Sequence, residues 1–217
     1  MSPKCAHSND PDFFYLVLTW PESFWNILKT RCVPAFGKPA ANFMIHGLWP
    51  TFNNGSYPVN CANTPFDKSK VSTLIQEMEK NWPPLNCPNG DDGTRIWSHE
   101  WLKHGTCSKP LITNQFNYFE TTLKLREKVD VLAALQKAGI NPNGKRYSVA
   151  NIIKAIKNGV GFVPKIQCNA FTSFGPSKVM QLYEVYFCMV GGTLEDCTKR
   201  TSFVSACTPF IIFPKFK

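Results

Sequence analysis

The sequence lacks any long uninterrupted apolar stretch. No window of its 217 residues approaches the roughly 20 apolar residues that a membrane-spanning helix requires. Residues 1–11 are polar, and the apolar run that follows, Phe13 to Trp20, is too short for the core of a signal peptide. We therefore expect no membrane partner, and we interpret the sequence as a mature or recombinant form.

Internal repeats, low-complexity tracts and convincing linkers are also missing. A chain of this length buries an ordinary core without help, so we expect a single domain over residues 1–217. Residues 1–11 are expected to form a flexible N-terminal extension of that domain. Strand and helix patterns are mixed without regular βαβ alternation, which predicts the α+β fold class.

Acidic residues are scarce relative to basic ones, with 15 Asp and Glu against 24 Lys and Arg and a formal net charge of +9. Basic residues are frequent in the 145–178 stretch and in the 215–217 tail. This excess favours a polyanionic partner. A solvated basic surface on a secreted protein would have the same composition, so charge alone does not decide between the two.

Cysteine, by contrast, is abundant. Nine cysteines run from Cys5 to Cys207, and they do not cluster as the ligands of a small metal site do. This number exceeds what a cytosolic protein of this size normally carries, which indicates secretion or a luminal compartment. Asn54-Gly55-Ser56 is a glycosylation sequon in a predicted surface loop, and it makes Asn54 a candidate glycosylation site on the same route.

Local patterns predict the elements along the chain. Aromatic and β-branched residues predict extended segments over 13–20, ended by Pro21, and over 43–46, 166–171, 179–190 and 210–213. Helical spacing of apolar residues predicts helices over 69–82, over 116–138 with an interruption near Asp130, and over 148–157 with Ser148 as cap and Gly159 as terminator. A further helix is predicted over 97–104 and would end at Gly105.

Histidine is rare, which makes its distribution informative. Three of the four histidines lie in two aromatic-rich segments, 43–50 and 97–107, whereas His7 stands alone near the N-terminus and is assigned no role. His99 and His104 are five residues apart, roughly 140° around a helix, whereas a zinc-protease helix needs two histidines four apart. The spacing therefore predicts no metal site.

The two segments together hold the groups that RNA cleavage requires. A base must take the proton from the 2′-hydroxyl, an acid must protonate the leaving 5′-oxygen, and cations must stabilise the pentavalent phosphorane. Two histidines can be base and acid, Lys103 can balance the phosphate charge, and Glu100 can hydrogen-bond an imidazole or the phosphorane. Taken singly, a histidine such as His46 or a tryptophan such as Trp49 is more often a packing or surface residue. Their combination favours a catalytic site.

Ile45-His46-Gly47-Leu48-Trp49-Pro50 and His99-Glu100-Trp101-Leu102-Lys103-His104-Gly105-Thr106-Cys107 resemble the two active-site segments of the ribonuclease T2 family, and Leu18-Thr19-Trp20-Pro21 is similar to its plant members. The resemblance implies an α+β fold with a central, mostly antiparallel sheet, flanking helices and disulfide bonds. It also implies a secreted or vacuolar, monomeric endoribonuclease that needs no metal or cofactor. Such an enzyme cleaves single-stranded RNA, and not DNA, to 2′,3′-cyclic phosphates and then to 3′-phosphates.

The resemblance also implies a role for each motif residue. By position, His104 corresponds to the general base, His46 to the general acid and His99 to a phosphate-binding histidine. Glu100 and Lys103 match residues that stabilise the transition state. All of these residues are present, so an inactivated homologue is not indicated.

Base recognition departs from the family pattern. The candidate substrate contacts are Trp49, Thr19, Ile96 and Trp97. Ile96 stands where relatives usually have Phe, and Thr19 replaces a common Gln. Because stacking on an aromatic ring contributes about 1–3 kcal/mol per base, we expect a weakened or altered base preference.

The family pattern further implies four disulfide bonds, although spacing alone leaves their connectivity open. The implied pairs are Cys32–Cys87, Cys61–Cys107, Cys168–Cys207 and Cys188–Cys197. Trp25 and Arg31 stand where many plant relatives carry a further cystine, so that bridge is expected to be missing. Cys5 is then the odd thiol, free or intermolecular.

Three functions are compatible with these observations. The first is a general plant ribonuclease of phosphate recovery, defence or wounding, favoured by the intact Ser98-His99-Glu100-Trp101 context. The second is a style self-incompatibility ribonuclease recognised by a pollen F-box-type partner, favoured by the basic charge and by Leu18-Thr19-Trp20-Pro21. The third is a non-catalytic basic storage or RNA-binding protein. RNA cleavage in the presence of a chelator separates the first two from the third.

Overall fold

The computed structural model describes residues 10–28, 30–87, 90–172, 178–200 and 205–217. Cys5, His7 and most of the predicted N-terminal extension lie outside the described residues. The strands are β1 (Phe13–Thr19), β2 (Met44–Thr51), β3 (Arg146–Ser148), β4 (Lys165–Thr172), β5 (Lys178–Val190), β6 (Thr193–Glu195) and β7 (Phe210–Ile212). The helices are α1 (Pro21–Leu28), α2 (Ile75–Asn81), α3 (Thr94–Lys103), α4 (Gln115–Glu127), α5 (Val131–Lys137) and α6 (Val149–Val160), with short 3₁₀ helices over Lys68–Leu74, Gly105–Cys107 and Cys197–Lys199.

A mixed sheet forms the centre of the described part of the chain. Its strands are ordered β2-β1-β5-β7-β3, and β4 and β6 each pair with β5. The pairings are antiparallel except that of β5 with β7. The α+β class with a mostly antiparallel sheet and flanking helices is therefore confirmed. Within the described ranges, no helix is both long enough and apolar enough to cross a membrane.

Strand β1 lies between β2 and β5, and each of its two faces is covered by an apolar cluster. Its side chains alternate between two apolar clusters: Leu16 and Leu18 pack in the main core, whereas Tyr15 and Val17 pack in a smaller cluster with Cys188. A strand with two buried faces needs no polar positions, which explains the unbroken apolar run in the sequence.

Strand β2 is an edge strand, and side chains satisfy backbone groups that no neighbouring strand covers. Trp82, just after α2, donates its indole N–H to the His46 carbonyl at 2.9 Å. Tyr118 of α4 donates its hydroxyl to the Leu48 carbonyl at 3.0 Å. Both donors are fully buried. These bonds fasten the edge strand to the helical layer and hold its backbone in one place.

Two helices at the N-terminal side differ from the prediction. The sequence pattern missed α1, because Pro21 was interpreted only as the end of a strand. Proline is also favoured as the first residue of a helix, where its missing N–H is not needed, and this is the position that Pro21 occupies. The helix predicted over 69–82 begins instead as a 3₁₀ helix, since Val71 has a non-helical φ of −123°. The α-helix starts only at Ile75.

The end of α6 also differs from the prediction, whereas the interruption near Asp130 is confirmed. The Asp130 side chain caps α5 by accepting from the Ala133 N–H at 3.0 Å. Helix α6 continues through Gly159 and ends at Gly161, whose φ of +96° favours glycine. Gly159 faces Ala134 of α5 so closely that a Cβ would collide with it. Glycine at that position therefore permits helix packing and does not terminate the helix.

Four disulfide bonds join the pairs that the family resemblance implies. They are Cys32–Cys87, Cys61–Cys107, Cys168–Cys207 and Cys188–Cys197. Trp25 and Arg31, at the position of the missing cystine, interact through a cation–π contact of 5.5 Å. Cys61–Cys107 ties the loop after β2 to the 3₁₀ helix that follows α3.

Candidate active site

The fold brings the two histidine segments together around one indole ring. His46 lies on β2, and His104 directly follows α3. The Trp49 ring centroid lies 4.9 Å from that of His46 and 5.2 Å from that of His104, with the His104 ring stacked on it. His99 and His46 both line a cavity of about 370 Å³. The fold therefore brings His46 close to both other imidazoles, to His104 through Trp49 and to His99 through the shared cavity.

His46 is held by a carboxylate that the sequence analysis did not identify. Its Nδ1 lies 2.7 Å from Oε1 of Glu184, a buried residue of β5. Burial by itself lowers the pKa of His46, but the hydrogen bond and charge of Glu184, together with the charge of Glu100, outweigh burial. The resulting pKa is raised above the ordinary value of 6.5, so His46 keeps its proton in mild acid.

His104 has the opposite environment. Its ring is buried, and the structure shows no hydrogen-bond partner for its Nδ1 among the described residues. Burial, followed by the positive charges of Lys103, His99 and His46, lowers the pKa of His104 to about 3. His104 is therefore neutral, and able to accept a proton, under conditions in which His46 is still protonated.

Glu100 and His99 complete the electrostatics of the site. Glu100 is buried and accepts a 2.9 Å hydrogen bond from the indole N–H of Trp49. Burial raises the pKa of Glu100 to about 7, against the opposing effects of His46, Trp49 and Lys103. His99 is exposed, and its pKa is lowered by partial desolvation and by the charges of Lys103 and His46. Glu100 can thus donate a hydrogen bond in mild acid, which an ionised carboxylate cannot.

Glycine is required at position 47 by the packing of this site. A Cβ on Gly47 would overlap the Glu100 carboxylate and the Trp49 indole nitrogen. The hydrogen bond between these two side chains occupies the space directly beside the glycine. The His-Gly-Leu-Trp motif is therefore explained in part by a close approach of α3 to β2.

Trp97 was predicted to contact substrate, and the structure corrects this. Its side chain is fully buried, and its indole N–H donates to the Trp82 carbonyl at 2.9 Å. Trp82 in turn holds the His46 carbonyl. Trp97 therefore helps to hold β2 in place through Trp82. It cannot stack on a base, because its side chain has no exposed surface.

The other predicted substrate contacts, Thr19, Ile96 and Trp49, lie at different places in the site. Thr19 and Ile96 both line the cavity beside His46. The Thr19 hydroxyl already donates to Glu184 at 3.0 Å, so it is not a free donor for a base. Trp49 is partly exposed between the two histidine rings.

Further residues at the site were missed by the sequence analysis. Tyr57 is 54% exposed and its ring centroid lies 6.5 Å from that of His104. Asn86 and Arg95 line the cavity on the side of His46. A signal for Glu184 was present, since it is an acidic residue within the apolar strand run Leu182 to Met189. No comparable signal in the sequence marked Tyr57, Asn86 or Arg95.

Among the described residues, no group of three or more His, Cys, Asp or Glu side chains is arranged to hold a metal ion.

Comparison with known proteins agrees with the motifs. The model of the ribonuclease T2 family matches residues 11–198. Extracellular ribonuclease LE of Solanum lycopersicum is 47% identical over 212 residues, covering 96% of this chain and 89% of the relative. Ribonuclease 1 of Arabidopsis thaliana is 48% identical over 214 residues, covering 97% of this chain and 90% of the relative. The crystal structure of RNase NT in complex with 5′-AMP superposes with a TM-score of 0.86 at 43% identity, covering 96% of this chain and 100% of that one. The chain therefore belongs to the ribonuclease T2 family, and it is similar throughout most of its length to plant ribonucleases.

Proposed function

We propose that this protein cleaves single-stranded RNA by transphosphorylation to 2′,3′-cyclic phosphates, which it then hydrolyses to 3′-phosphates. The observation that carries the proposal is the pair of histidines that both contact Trp49 and have opposite pKa shifts. General acid–base catalysis of this reaction needs one imidazole with a proton and one without, at the same pH.

In the first step, His104 takes the proton from the 2′-hydroxyl as the 2′-oxygen attacks phosphorus. His46 gives its proton to the 5′-oxygen as the P–O5′ bond breaks. In the second step, water gives a proton to His46 and attacks phosphorus, and the P–O2′ bond breaks as His104 gives its proton to the 2′-oxygen. Each histidine therefore ends with its original proton state. The raised pKa of His46 and the lowered pKa of His104 support this assignment over the reverse one.

The remaining groups of the site stabilise charge on the phosphoryl oxygens. Lys103 supplies positive charge, and protonated Glu100 donates a hydrogen bond through the oxygen that does not accept from Trp49. His99, which is exposed at the cavity mouth, binds the phosphate. The role of His99 follows the family pattern and its shared cavity with His46 supports it.

Bases are proposed to bind on both sides of the scissile phosphate. The cavity lined by Ile96, Asn86 and Thr19 lies beside His46, so it would receive the base of the leaving nucleoside. Trp49 and the exposed Tyr57 lie beside His104, where the base of the attacking nucleoside would stack. Ile96 offers apolar contact without an aromatic face, which favours a weak preference on the leaving side.

A general plant ribonuclease is the favoured biological role. The relatives at 47% and 48% identity are Extracellular ribonuclease LE and Ribonuclease 1, whereas Ribonuclease S-4 of Pyrus pyrifolia is 34% identical. We propose that the protein is a monomer. Its disulfide bonds support a site of action outside the cell or in the vacuole. Relatives named extracellular and intracellular both occur at this level of similarity. Asn54 lies in an exposed turn, which supports its glycosylation on that route.

The experiment that tests the proposed function is product analysis in excess chelator. The protein is incubated with RNA dinucleotides, with longer single-stranded RNA and with DNA, and the products are separated by chromatography. We expect 2′,3′-cyclic phosphates from RNA, slow appearance of 3′-phosphates, and intact DNA. Intact RNA would instead indicate the non-catalytic storage or binding role, and loss of cleavage on chelation would indicate a metal-dependent reaction.

The pH dependence of kcat/KM is expected to follow the two histidines. The rate rises with pH through the pKa of His104, about 3, because the base becomes neutral. It falls above the ordinary histidine value of 6.5, as His46, whose pKa is raised, and Glu100, with a pKa of about 7, lose their protons. Initial rates on one dinucleotide across the pH range measure both limbs. An alkaline limb centred below 6.5 would contradict the assignment, because the pKa of the general acid His46 is raised above that value.

A further inference from the structure

A buried carboxylate that the proposed reaction does not use lies against His46. Glu184 stands in the middle of β5, in register with Thr19 of β1 and Gln167 of β4, and its side chain is 4% exposed. An ionised carboxylate at the centre of a sheet is costly unless polar partners hold it. Its surroundings therefore indicate what it does.

Three polar groups converge on this carboxylate. His46 Nδ1 lies 2.7 Å from Oε1, and the Thr19 hydroxyl donates to the same oxygen at 3.0 Å. The Tyr186 hydroxyl donates to Oε2 at 2.7 Å. Two of these partners are neutral hydroxyls, so His46 is the partner that can balance the charge.

The contact also defines the state of the His46 ring. A carboxylate can only accept here, so Nδ1 must carry a hydrogen whether the ring is neutral or protonated. Nε2 is then the nitrogen that gains and loses a proton. This geometry is the one that a general acid needs, since one nitrogen is anchored and the other is free to serve the leaving group.

We propose that Glu184 is the positioning residue of His46: its carboxylate anchors Nδ1–H, so that Nε2 alone delivers the proton to the 5′-oxygen. The identity of the leaving group rests on the proposed function. The anchoring of Nδ1 by Glu184 does not rest on the proposed function, and it can be measured without any RNA cleavage.

The charges around His46 give the expected sign of a substitution. Glu184 from β5 and Glu100 from α3 favour the protonated ring, whereas burial and Lys103 disfavour it. His99 and His104 also face the ring, and the charge on His46 lowers the pKa of each. Without the charge of Glu184, the opposing effects of burial and Lys103 gain weight, so the pKa of His46 falls.

The test uses Glu184→Gln, with Glu22→Gln as the matched control. The glutamine side chain has the same shape as glutamate and can still accept from Nδ1–H, but it has no charge. Glu22 is equally buried and pairs with Arg31 at 2.6 Å, so its substitution removes a comparable charge away from the histidines. Each protein is titrated by NMR of the histidine ring protons, and kcat/KM is measured against pH on a dinucleotide.

We expect Glu184→Gln to lower the pKa of His46 by about one unit or more, and to move the alkaline limb of the pH profile down by the same amount. At a fixed pH on the alkaline limb this gives about a tenfold loss of kcat/KM. Glu22→Gln is expected to leave both the pKa of His46 and the alkaline limb of the pH profile unchanged. The proposal would be overturned if Glu184→Gln is folded and neither the pKa of His46 nor the alkaline limb of the pH profile has shifted.

A measurement on the unsubstituted protein keeps the proposal testable even if Glu184→Gln does not fold. Nitrogen chemical shifts of the neutral His46 ring are expected to show the hydrogen on Nδ1. A neutral ring with its hydrogen on Nε2 would refute the anchoring. If the protein instead shows the anchored ring but leaves RNA intact, the proposed function fails while the role of Glu184 in holding the ring stands.

Discussion

Replacing His46 with alanine is expected to lower kcat/KM for an RNA dinucleotide by about 10²–10⁴-fold, and to leave cleavage of a nucleoside 3′-(4-nitrophenyl phosphate) nearly unchanged. A nitrophenolate leaves without protonation, so it does not need a general acid. His104→Ala is expected to impair both substrates by a similar factor, because the 2′-hydroxyl must lose its proton in either reaction. The ratio of the two activities therefore identifies which histidine is the acid.

Steady-state rates on both substrates near the pH optimum measure this ratio. His104 is buried and stacked on Trp49, so thermal unfolding must show that His104→Ala is folded at the assay temperature. If His46→Ala loses the nitrophenyl activity while His104→Ala retains it, the roles are reversed. If both variants keep dinucleotide cleavage, neither histidine transfers a proton in the reaction.

Gly47→Ala is the second substitution with a large expected effect. The new methyl group overlaps the Glu100 carboxylate and the Trp49 indole nitrogen, so both side chains must move. Overpacking of this kind costs about 1–3 kcal/mol of the free energy of unfolding. A displacement of about 1 Å at catalytic groups lowers the rate by about 10²-fold. Chemical denaturation and kcat/KM on a dinucleotide measure the two effects.

Gly37→Ala is the control for the loss of a glycine. Gly37 has a φ of +108° and open space around a Cβ, so alanine there strains the backbone by about 1–2 kcal/mol without touching the site. It should lower stability and leave kcat/KM at its original value. Full activity in Gly47→Ala would show that Glu100 and Trp49 do not need their observed arrangement.

The fold was predictable wherever burial leaves a regular pattern in the sequence. Strand β1 is buried on both faces and appears as an unbroken apolar run, and the Asp130 cap separates two helical patterns. The errors occurred where one residue type serves two purposes. Pro21 can end a strand or begin a helix, and Gly159 can end a helix or permit two helices to touch. The local sequence is the same for either role of such a residue, and only the element that packs against it determines which role it has.

The candidate site shows the same division. The motif residues His46, His99 and His104 were identified because uncommon residue types recur in two short segments. Trp97 was misassigned because a tryptophan in a support position and one in a base-binding position look alike in sequence. Glu184 was missed because it is far from both motifs along the chain and reaches His46 only through the pairing of β1 with β5 and with β2.

The amino-acid sequence by itself determined the chemistry that this protein can perform, since it specifies imidazoles, a carboxylate and an ammonium in the spacing of a known family. The tertiary structure decided in which direction the pKa of each imidazole is shifted. Both rings have the same intrinsic pKa, and they differ because one lies against the carboxylate of Glu184 whereas the other is buried beneath an indole among positive charges. Such differences in desolvation and charge arise only when distant segments pack together.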